Sequence, residues 1–331
     1  MRAVTVGIVS IGDMGLGMAK LLLSHGEHTL ARIQAAAIEA LPSDHELVVH
    51  ADYILSIVPP RSARATAERI ATTCSHPDTA SRRQSVEDVN GHSDRSPLYY
   101  LELNATPPRQ AEELAGLFDG TLSTGTVPCH YFDGGIIGGP PSQNVDGKWK
   151  QPSVVLSGSV ELPSTWASLA SVLHVKLVSP RIGAASTLKL SFAALTKGLT
   201  ALSILSVSTA QQEDLLPELL GHLDEYSPQT AALARTGVVG MSPKAYRWVE
   251  EMHGIGEAFD REGGWDGVGS QIYGGMAEIY RRVAEETILG QERVGARDRG
   301  TSVEDAATII SSTTSRTMSS GHCQASHYPS S

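Results

Sequence analysis

The chain has 331 residues, of which 41% are hydrophobic and 19% charged, with a formal net charge of −10. That length suits about two domains with cores of their own. The acidic balance excludes broad electrostatic binding to nucleic acid, which needs a basic face, but leaves room for a small basic pocket around one phosphate. Cys74, Cys129 and Cys323 lie far apart without a CxxC pair, and the twelve histidines show no ligand spacing, so neither a disulfide framework nor a metal is expected.

In chain order, "MRAVTVGIVSIGDMG" is too short and too interrupted for a signal peptide. No run of about 18 apolar residues stands out, so a reduced, cytoplasmic protein without a membrane span is expected. "AVTVGIVSIG" reads as a strand buried on both faces. "MGLGMAKLLLSHGE" reads as a helix, "HTLAR" as a short strand and "IQAAAIEAL" as a helix before Pro42. "ELVVHADYILSIVPP" predicts two strands around His50–Ala51, and "RSARATAERIAT" a helix. Residues 75–97 are polar without an apolar period and read as a surface insertion, with Arg82 and Arg83 solvated. "LYYLELNA" returns as a strand and "PPRQAEELAGLFDG" as a helix. "CHYFDGGIIGGPP" is a strand entering a glycine-rich loop, and "PSVVLSGS" and "HVKLVSP" are strands flanking the helix "PSTWASLASVL".

After Pro180 the pattern is helical, at roughly 184–210, 212–223, 226–235, 242–259 and 268–289. In the first of these helices Leu188, Phe192, Leu195 and Leu199 form a face expected to be buried. Ser186, Lys189, Ala193, Thr196 and Thr200 form a second face of small and polar residues. Beyond residue 290 the chain is Ser/Thr-rich and expected to be disordered. The fold class is therefore α/β: a Rossmann-type, mostly parallel sheet domain over 1–180, an all-α domain over 181–290 and a tail over 291–331.

The first strand is followed by Ser10-Ile-Gly12-Asp13-Met14-Gly15-Leu-Gly17. Glycines at a strand-to-helix turn let the backbone approach a diphosphate, while the helix N-terminus offers unpaired N–H groups and the positive end of its dipole. Ser10 stands where the fingerprint has its first glycine. A tight turn without a ligand is the alternative.

"GIVSIGDMGLGMAKLLLSHG" resembles the N-terminal fingerprint of the β-hydroxyacid dehydrogenases, the group that includes 6-phosphogluconate and 3-hydroxyisobutyrate dehydrogenases. "ADYILSIVPP", "LELNATPP", "FDGGIIGGP" and "GAASTLK" are similar to that family's later segments, in the correct order. The resemblance implies an NADP-dependent oxidoreductase, with NAD as the other possibility. It implies a cofactor site at Gly12, Asp13, Met14, Gly15, Arg32, Val58, Pro59 and Asn104, with Arg32 meeting a 2′-phosphate. It implies substrate contacts from Asp133, Ile137, Gly138, Gly139 and Ala193, and makes Lys189 the general acid/base. "LKLSFAALTKGLTAL" and "PKAYRWVEEMHGIGEAF" resemble the helical domain of uncharacterised function on some phosphogluconate-dehydrogenase-like proteins, and such domains commonly form homodimers.

Ile137 replaces a serine of the family's substrate loop and Ala193 an asparagine, so two polar contacts are apolar here and a less polar carbonyl or alcohol substrate is expected. The region of the second strand is short, which weakens the sheet near the adenosine site. An imine reductase on the same fold and a non-catalytic NAD(P)-binding sensor or scaffold are the competing readings. Glu251 and His253 are candidate acid–base helpers that read better as helix surface; Arg247 and Trp248 are candidate pocket residues, and Cys129 a small buried residue.

Overall fold

The computed structural model describes residues 4–10, 12–24, 33–34, 37–38, 41–89, 97–104, 106–159, 162–293 and 295–320. Contacts divide the chain into two units, Met1–Leu190 and Ser191–Ser331.

In the first unit, β1 (Val6–Val9) leads into α1 (Asp13–Ser24), and a small antiparallel pair follows, β2 (Ile33–Gln34) and β3 (Ala37–Ile38). The helix expected over 33–41 is not seen at the described residues, where 33–34 and 37–38 pair as antiparallel strands instead. The strand expected at "HTLAR" and the predicted phosphate reader Arg32 lie outside the described residues.

α2 (Asp44–His50) replaces the first of the two strands expected in "ELVVHADYILSIVPP". The Ser43 side chain accepts from the Glu46 N–H at 3.3 Å, and Asp44 and Glu46 stand at the positive end of the helix. That capping signal outweighs the strand preference of Val48 and Val49. β4 (Tyr53–Ser56), α3 (Ala63–Ser75) and α4 (Pro77–Val89) follow.

α4 overturns the expected surface insertion over 75–97. It packs on α2 through Thr79, Ala80 and Arg83, an inward face too polar to leave an apolar period. Arg83 is only 1% exposed and donates from Nη1 to the carbonyls of Val48 and Ala51, both at 2.6 Å. It thereby caps the C-terminal end of α2, where a cation is favoured. Arg82 stays at the surface and pairs with Glu46 at 2.6 Å.

β5 (Leu98–Glu102), α5 (Pro108–Gly116), β6 (Cys129–Ile137), the hairpin strands β7 (Ser142–Gln143) and β8 (Trp149–Lys150), β9 (Ser153–Ser157), α6 (Trp166–Val172) and β10 (Val175–Ser179) complete the sheet region. The main sheet has the order β1-β4-β5-β6-β9-β10, parallel except where β9 runs against β6. β1 is an edge strand among the described residues, so its side chains are half-buried rather than enclosed on both faces.

Side chains alternate across the sheet, as a period of two requires. Tyr53, Leu55, Tyr99, Leu101 and Phe132 pack with α1 and α6 through Met18, Leu21, Trp166 and Leu169. Ile54, Leu98, Tyr100, Cys129 and Tyr131 pack on the other face with α2, α3 and α5 through Val48, Ile70, Cys74 and Leu114. Cys74 and Cys129 are free thiols, and burial pushes that of Cys129 up.

α7 (Ala184–Gln212) begins in the first unit and continues into the second, which adds α8 (Leu216–Tyr226), α9 (Pro228–Met241), α10 (Ala245–Arg261), α11 (Val268–Glu286) and α12 (Val303–Ser320). α10 and α11 cross closely at two glycines: a Cβ on Gly256 would meet Ser270 Cα at 2.9 Å, and one on Gly269 the Gly256 carbonyl oxygen at 2.6 Å. Asp260 caps α11 by accepting from the Gly269 and Ser270 N–H groups, and the Ser270 side chain together with these backbone bonds holds its carboxyl below the usual range. α12 corrects the expected disordered tail over its range. Val303, Ala306, Ala307 and Ile310 recur at helical spacing and are buried, a signal hidden by the surrounding serines and threonines.

α7 also reverses an expectation. Leu188, Phe192 and Leu195 are exposed, Leu195 to 77%, while Ala185, Ala193, Ala194 and Ala201 are buried. Leu190, Ile204 and Val207 are buried with them, so the inward face mixes small and large residues. α7 is, by length and composition, apolar enough to cross a membrane, contrary to the expectation of no such stretch; half of that window is buried within the protein, as in a long core helix.

Candidate functional site

The turn after β1 is set by backbone sterics. Ser10 adopts φ +72°, a left-handed conformation that suits glycine, so this position retains the geometry of the fingerprint without its residue. A Cβ on Gly15 would lie 2.5 Å from the Ser10 carbonyl oxygen, so only glycine fits there. A Cβ on Gly12 would meet nothing within 4 Å, which leaves the approach to the helix start open. The Gly12 carbonyl accepts the Leu16 N–H at 2.8 Å, and the preceding N–H groups of the first turn have no intrahelical acceptor. Asp13 is exposed and Met14 packs partly into the core. This cradle fits a diphosphate. Gly17 serves packing instead, because its Cβ would meet Pro141 Cδ at 2.9 Å.

At the carboxyl end of the sheet a polar row crosses four strands in register. Ser56 pairs with Glu102, Glu102 with Asp133, and Asp133 with Ser157. All four are fully buried. Asn104, just beyond β5, ties this row to the loop after β4. Its Oδ1 accepts the Val58 N–H at 2.8 Å, and its Nδ2 donates to Ser56 Oγ at 3.2 Å and to the Glu102 carboxylate. Val58 is half-buried and Pro59 exposed. Glu102 also accepts from the Tyr100 hydroxyl at 3.2 Å and the Asn104 N–H at 3.3 Å. Burial outweighs these bonds and raises the Glu102 carboxyl from 4.5 to about 7.

Asp133 occupies a pivot, where β6 changes from its parallel partner β5 to its antiparallel partner β9. It was expected to meet substrate; instead its carboxylate is enclosed. Oδ2 accepts from Ser157 Oγ at 2.8 Å and from the Ser186 N–H at 3.1 Å, and Oδ1 from the Ser186 hydroxyl. Ser157 Oγ in turn accepts the Ala185 N–H at 3.0 Å. Asp133 thus anchors the N-terminus of α7, where an anion is favoured by the helix dipole. Burial nevertheless raises its carboxyl above the ordinary value.

One turn along that helix stands Lys189, half-buried. Its stem lies against β6: a Cβ on Gly135 would meet Lys189 Cβ and Cγ at 3.0 Å each. Glycine at 135 is what lets the lysine stem lie on the strand. Ile137 is half-buried at the end of β6, and Gly138 and Gly139 are exposed, Gly138 at φ +124° against Pro152. Ala193 is buried and belongs to the second unit.

Glu251 of the second unit is not an available acid: it pairs with Lys197, whose ammonium lies 4.9 Å from the centre of the Trp248 ring. Trp248 in turn meets Tyr280 edge-on at 5.1 Å. His253 and Arg247 are exposed. The sequence reading overlooked Glu102 and Gly135. Glu102 ends the apolar run "LYYLE", where a carboxylate has few reasons to stand, and Gly135 follows another glycine that hid its separate use.

Residues 210–283 match a family described as Domain of unknown function (DUF1932), which stands at the C-terminal end of 6-phosphogluconate-dehydrogenase-like proteins. No curated protein sequence matches the chain. Among solved structures, a conserved hypothetical protein from Sinorhizobium meliloti 1021 is 17% identical, with 94% of this chain and 97% of that one covered, at a TM-score of 0.59. The 3-hydroxyisobutyrate dehydrogenase of Mycobacterium tuberculosis, solved with L-serine, is 14% identical, with 94% and 99% covered and a TM-score of 0.59. That of Salmonella typhimurium is 16% identical, with 93% and 99% covered and a TM-score of 0.56. The chain therefore shares the 3-hydroxyacid dehydrogenase fold: a mostly parallel sheet with helices, then a helical C-terminal region.

Proposed function

We propose that this protein is an NADP-dependent oxidoreductase that interconverts a carbonyl and an alcohol on a relatively apolar substrate, with Lys189 as the general acid/base. The observation that carries the reading is a convergence within the first unit. The Gly12–Gly15 cradle, the Asn104–Val58 edge and Lys189 over Gly135 all lie at the carboxyl ends of neighbouring parallel strands. Open α/β sheets bind their ligands there.

The bound nicotinamide supplies the hydride chemistry. The first turn of α1 would hold the diphosphate through its N–H groups, and Asn104 would orient the nicotinamide half. Lys189 Nζ gives a proton to the substrate oxygen in reduction and takes it in oxidation. Ile137, half-buried and apolar, supports a less polar substrate than a small hydroxy acid. Arg32 is proposed to favour NADP through the 2′-phosphate. A homodimer is proposed through the apolar stripe of α7, where Leu188, Phe192, Leu195, Leu202 and Leu205 are exposed in the single chain.

The test is a fluorescence titration with NADPH and NADH, followed by a screen of ketones, β-keto acids and cyclic imines for cofactor oxidation. Turnover of a ketone that depends on Lys189 is the expected result. Turnover of imines alone would assign C=N chemistry to the fold, and binding without any turnover would make the protein a nucleotide sensor.

A further inference from the structure

We propose that Glu102 is a positioning residue of the nucleotide edge: it orients the Asn104 amide, and whether it carries a proton sets how firmly the nicotinamide half is held. This rests on the cofactor site proposed above.

The geometry leaves the amide one good orientation. Oδ1 of Asn104 must face the Val58 N–H, because the opposite arrangement would set Nδ2 against another donor. Two acceptors hold Nδ2 on the other side, Ser56 Oγ and the Glu102 carboxylate. The Val58 N–H and Glu102 together therefore fix which way the amide faces.

As a carboxylate, Glu102 is acceptor-only and matches the donors around it, the hydroxyls of Tyr100 and Ser56, the Asn104 N–H and Asn104 Nδ2. As an acid it must also donate. The oxygens at hand are those of Ser56 and Tyr100, each of which has to turn its own hydrogen elsewhere. The bonds to Asn104 lose their charge assistance at the same time.

The neighbouring groups do not compete for this proton. Burial drives the phenols of Tyr100 on β5 and Tyr131 on β6 well up, so both stay neutral. Asp133, beside Glu102 in register, is satisfied by Ser157 and Ser186. Arg69 of α3 and Cys129 of β6 act on Tyr100. Because burial raises Glu102 to about 7, the exchange falls in the working range of an intracellular pH.

The experiment is a calorimetric titration of the full chain with NADH, which lacks the titrating 2′-phosphate, from pH 5.5 to 8.5. Affinity of the wild-type protein should rise about fivefold through pH 7, the difference between a charge-assisted and an ordinary hydrogen bond. Glu102→Gln, which has the shape of the neutral acid, should bind with the weak low-pH affinity throughout. Asn104→Ala should also lose the step, because the amide that transmits it is gone. A step that persists in either variant, or no step in the wild type, overturns the inference while leaving the cofactor site in place. NADH and NADPH binding at no pH would overturn the cofactor site, and this inference with it. Should Glu102→Gln fail to fold, Asn104→Ala and the wild-type series carry the decision.

Discussion

The stability of the first unit should depend on pH through Glu102. The carboxyl is fully buried between Tyr100, Asn104 and Ser56, and its titration point stands at about 7 in the folded chain against 4.5 in an unfolded one. A raised carboxyl binds its proton more tightly when folded, so its contribution is fully present below pH 4.5. It is lost progressively as pH rises to about 7 and stays lost above. At about 1.4 kcal/mol per pH unit, the interval from 4.5 to about 7 corresponds to about 3 kcal/mol. Glu102→Gln removes the ionisation and keeps the shape. It should therefore unfold like the wild type at pH 4.5 and become more stable than the wild type by up to about 3 kcal/mol at pH 8. For a unit of this size that is a midpoint difference of about 6–12 °C. Thermal unfolding of both proteins from pH 4.5 to 8.5 makes the measurement. The difference between the two curves matters, because the other titrating groups cancel in it. Parallel curves would mean that Glu102 ionises as easily inside the protein as outside, and the buried polar row would then need a different account.

Other outcomes follow from single contacts. Lys189→Met should leave nucleotide binding intact and lower single-turnover hydride transfer by about 10²–10⁴-fold; a near-normal rate would remove Lys189 from the chemistry. Gly135→Ala sets a methyl 3.0 Å from the Lys189 stem and should lower the same rate by about tenfold or more without loss of nucleotide affinity. Ser10→Gly relieves a left-handed serine and should raise the unfolding free energy by up to about 1 kcal/mol in a urea titration. If the proposed homodimer forms on the exposed stripe of α7, light scattering should give a paired mass for the wild type and a single-chain mass for Leu195→Glu.

The fold was largely legible because strand and helix periods alternate cleanly up to Pro180 and then give way to helices. What escaped the reading was decided by contacts that periodicity does not register. α2 was hidden by two β-branched valines and revealed by the Ser43 cap. α4 was hidden because its most buried large residue is an arginine that caps another helix. The inward face of α7 combines Ala185, Ala193, Ala194 and Ala201 with Leu190, Ile204 and Val207, a mixed close-packed set that hydropathy alone does not single out. At the site, motif residues such as Gly15, Asn104 and Lys189 could be picked out in the sequence. The residues that hold them, Glu102, Asp133 in its anchoring role and Gly135, could not, because their partners are distant in the chain. Lys197, two turns beyond Lys189 on the same helix, makes no neutral comparison for it, since Lys197→Met would leave Glu251 without its ion-pair partner near Trp248.

The polar row also explains why one sheet can carry two separate tasks. Glu102 and Asp133 are register partners on adjacent strands, yet they act in opposite directions along the row. Glu102 reaches back toward β4 through Asn104 and Ser56. Asp133 reaches forward to β9 and α7 through Ser157 and Ser186. Both are buried acids in an otherwise apolar layer, and each is kept because its hydrogen bonds offset much of the desolvation that raises its titration point. The two differ in how that balance closes. Asp133 has the α7 N-terminus as a fixed source of positive potential, whether or not a ligand is present. Glu102 has only neutral donors, and so remains close to balance at neutral pH. The acid that anchors α7 thus faces a fixed positive potential, whereas the acid beside the proposed nucleotide edge is held by neutral donors alone.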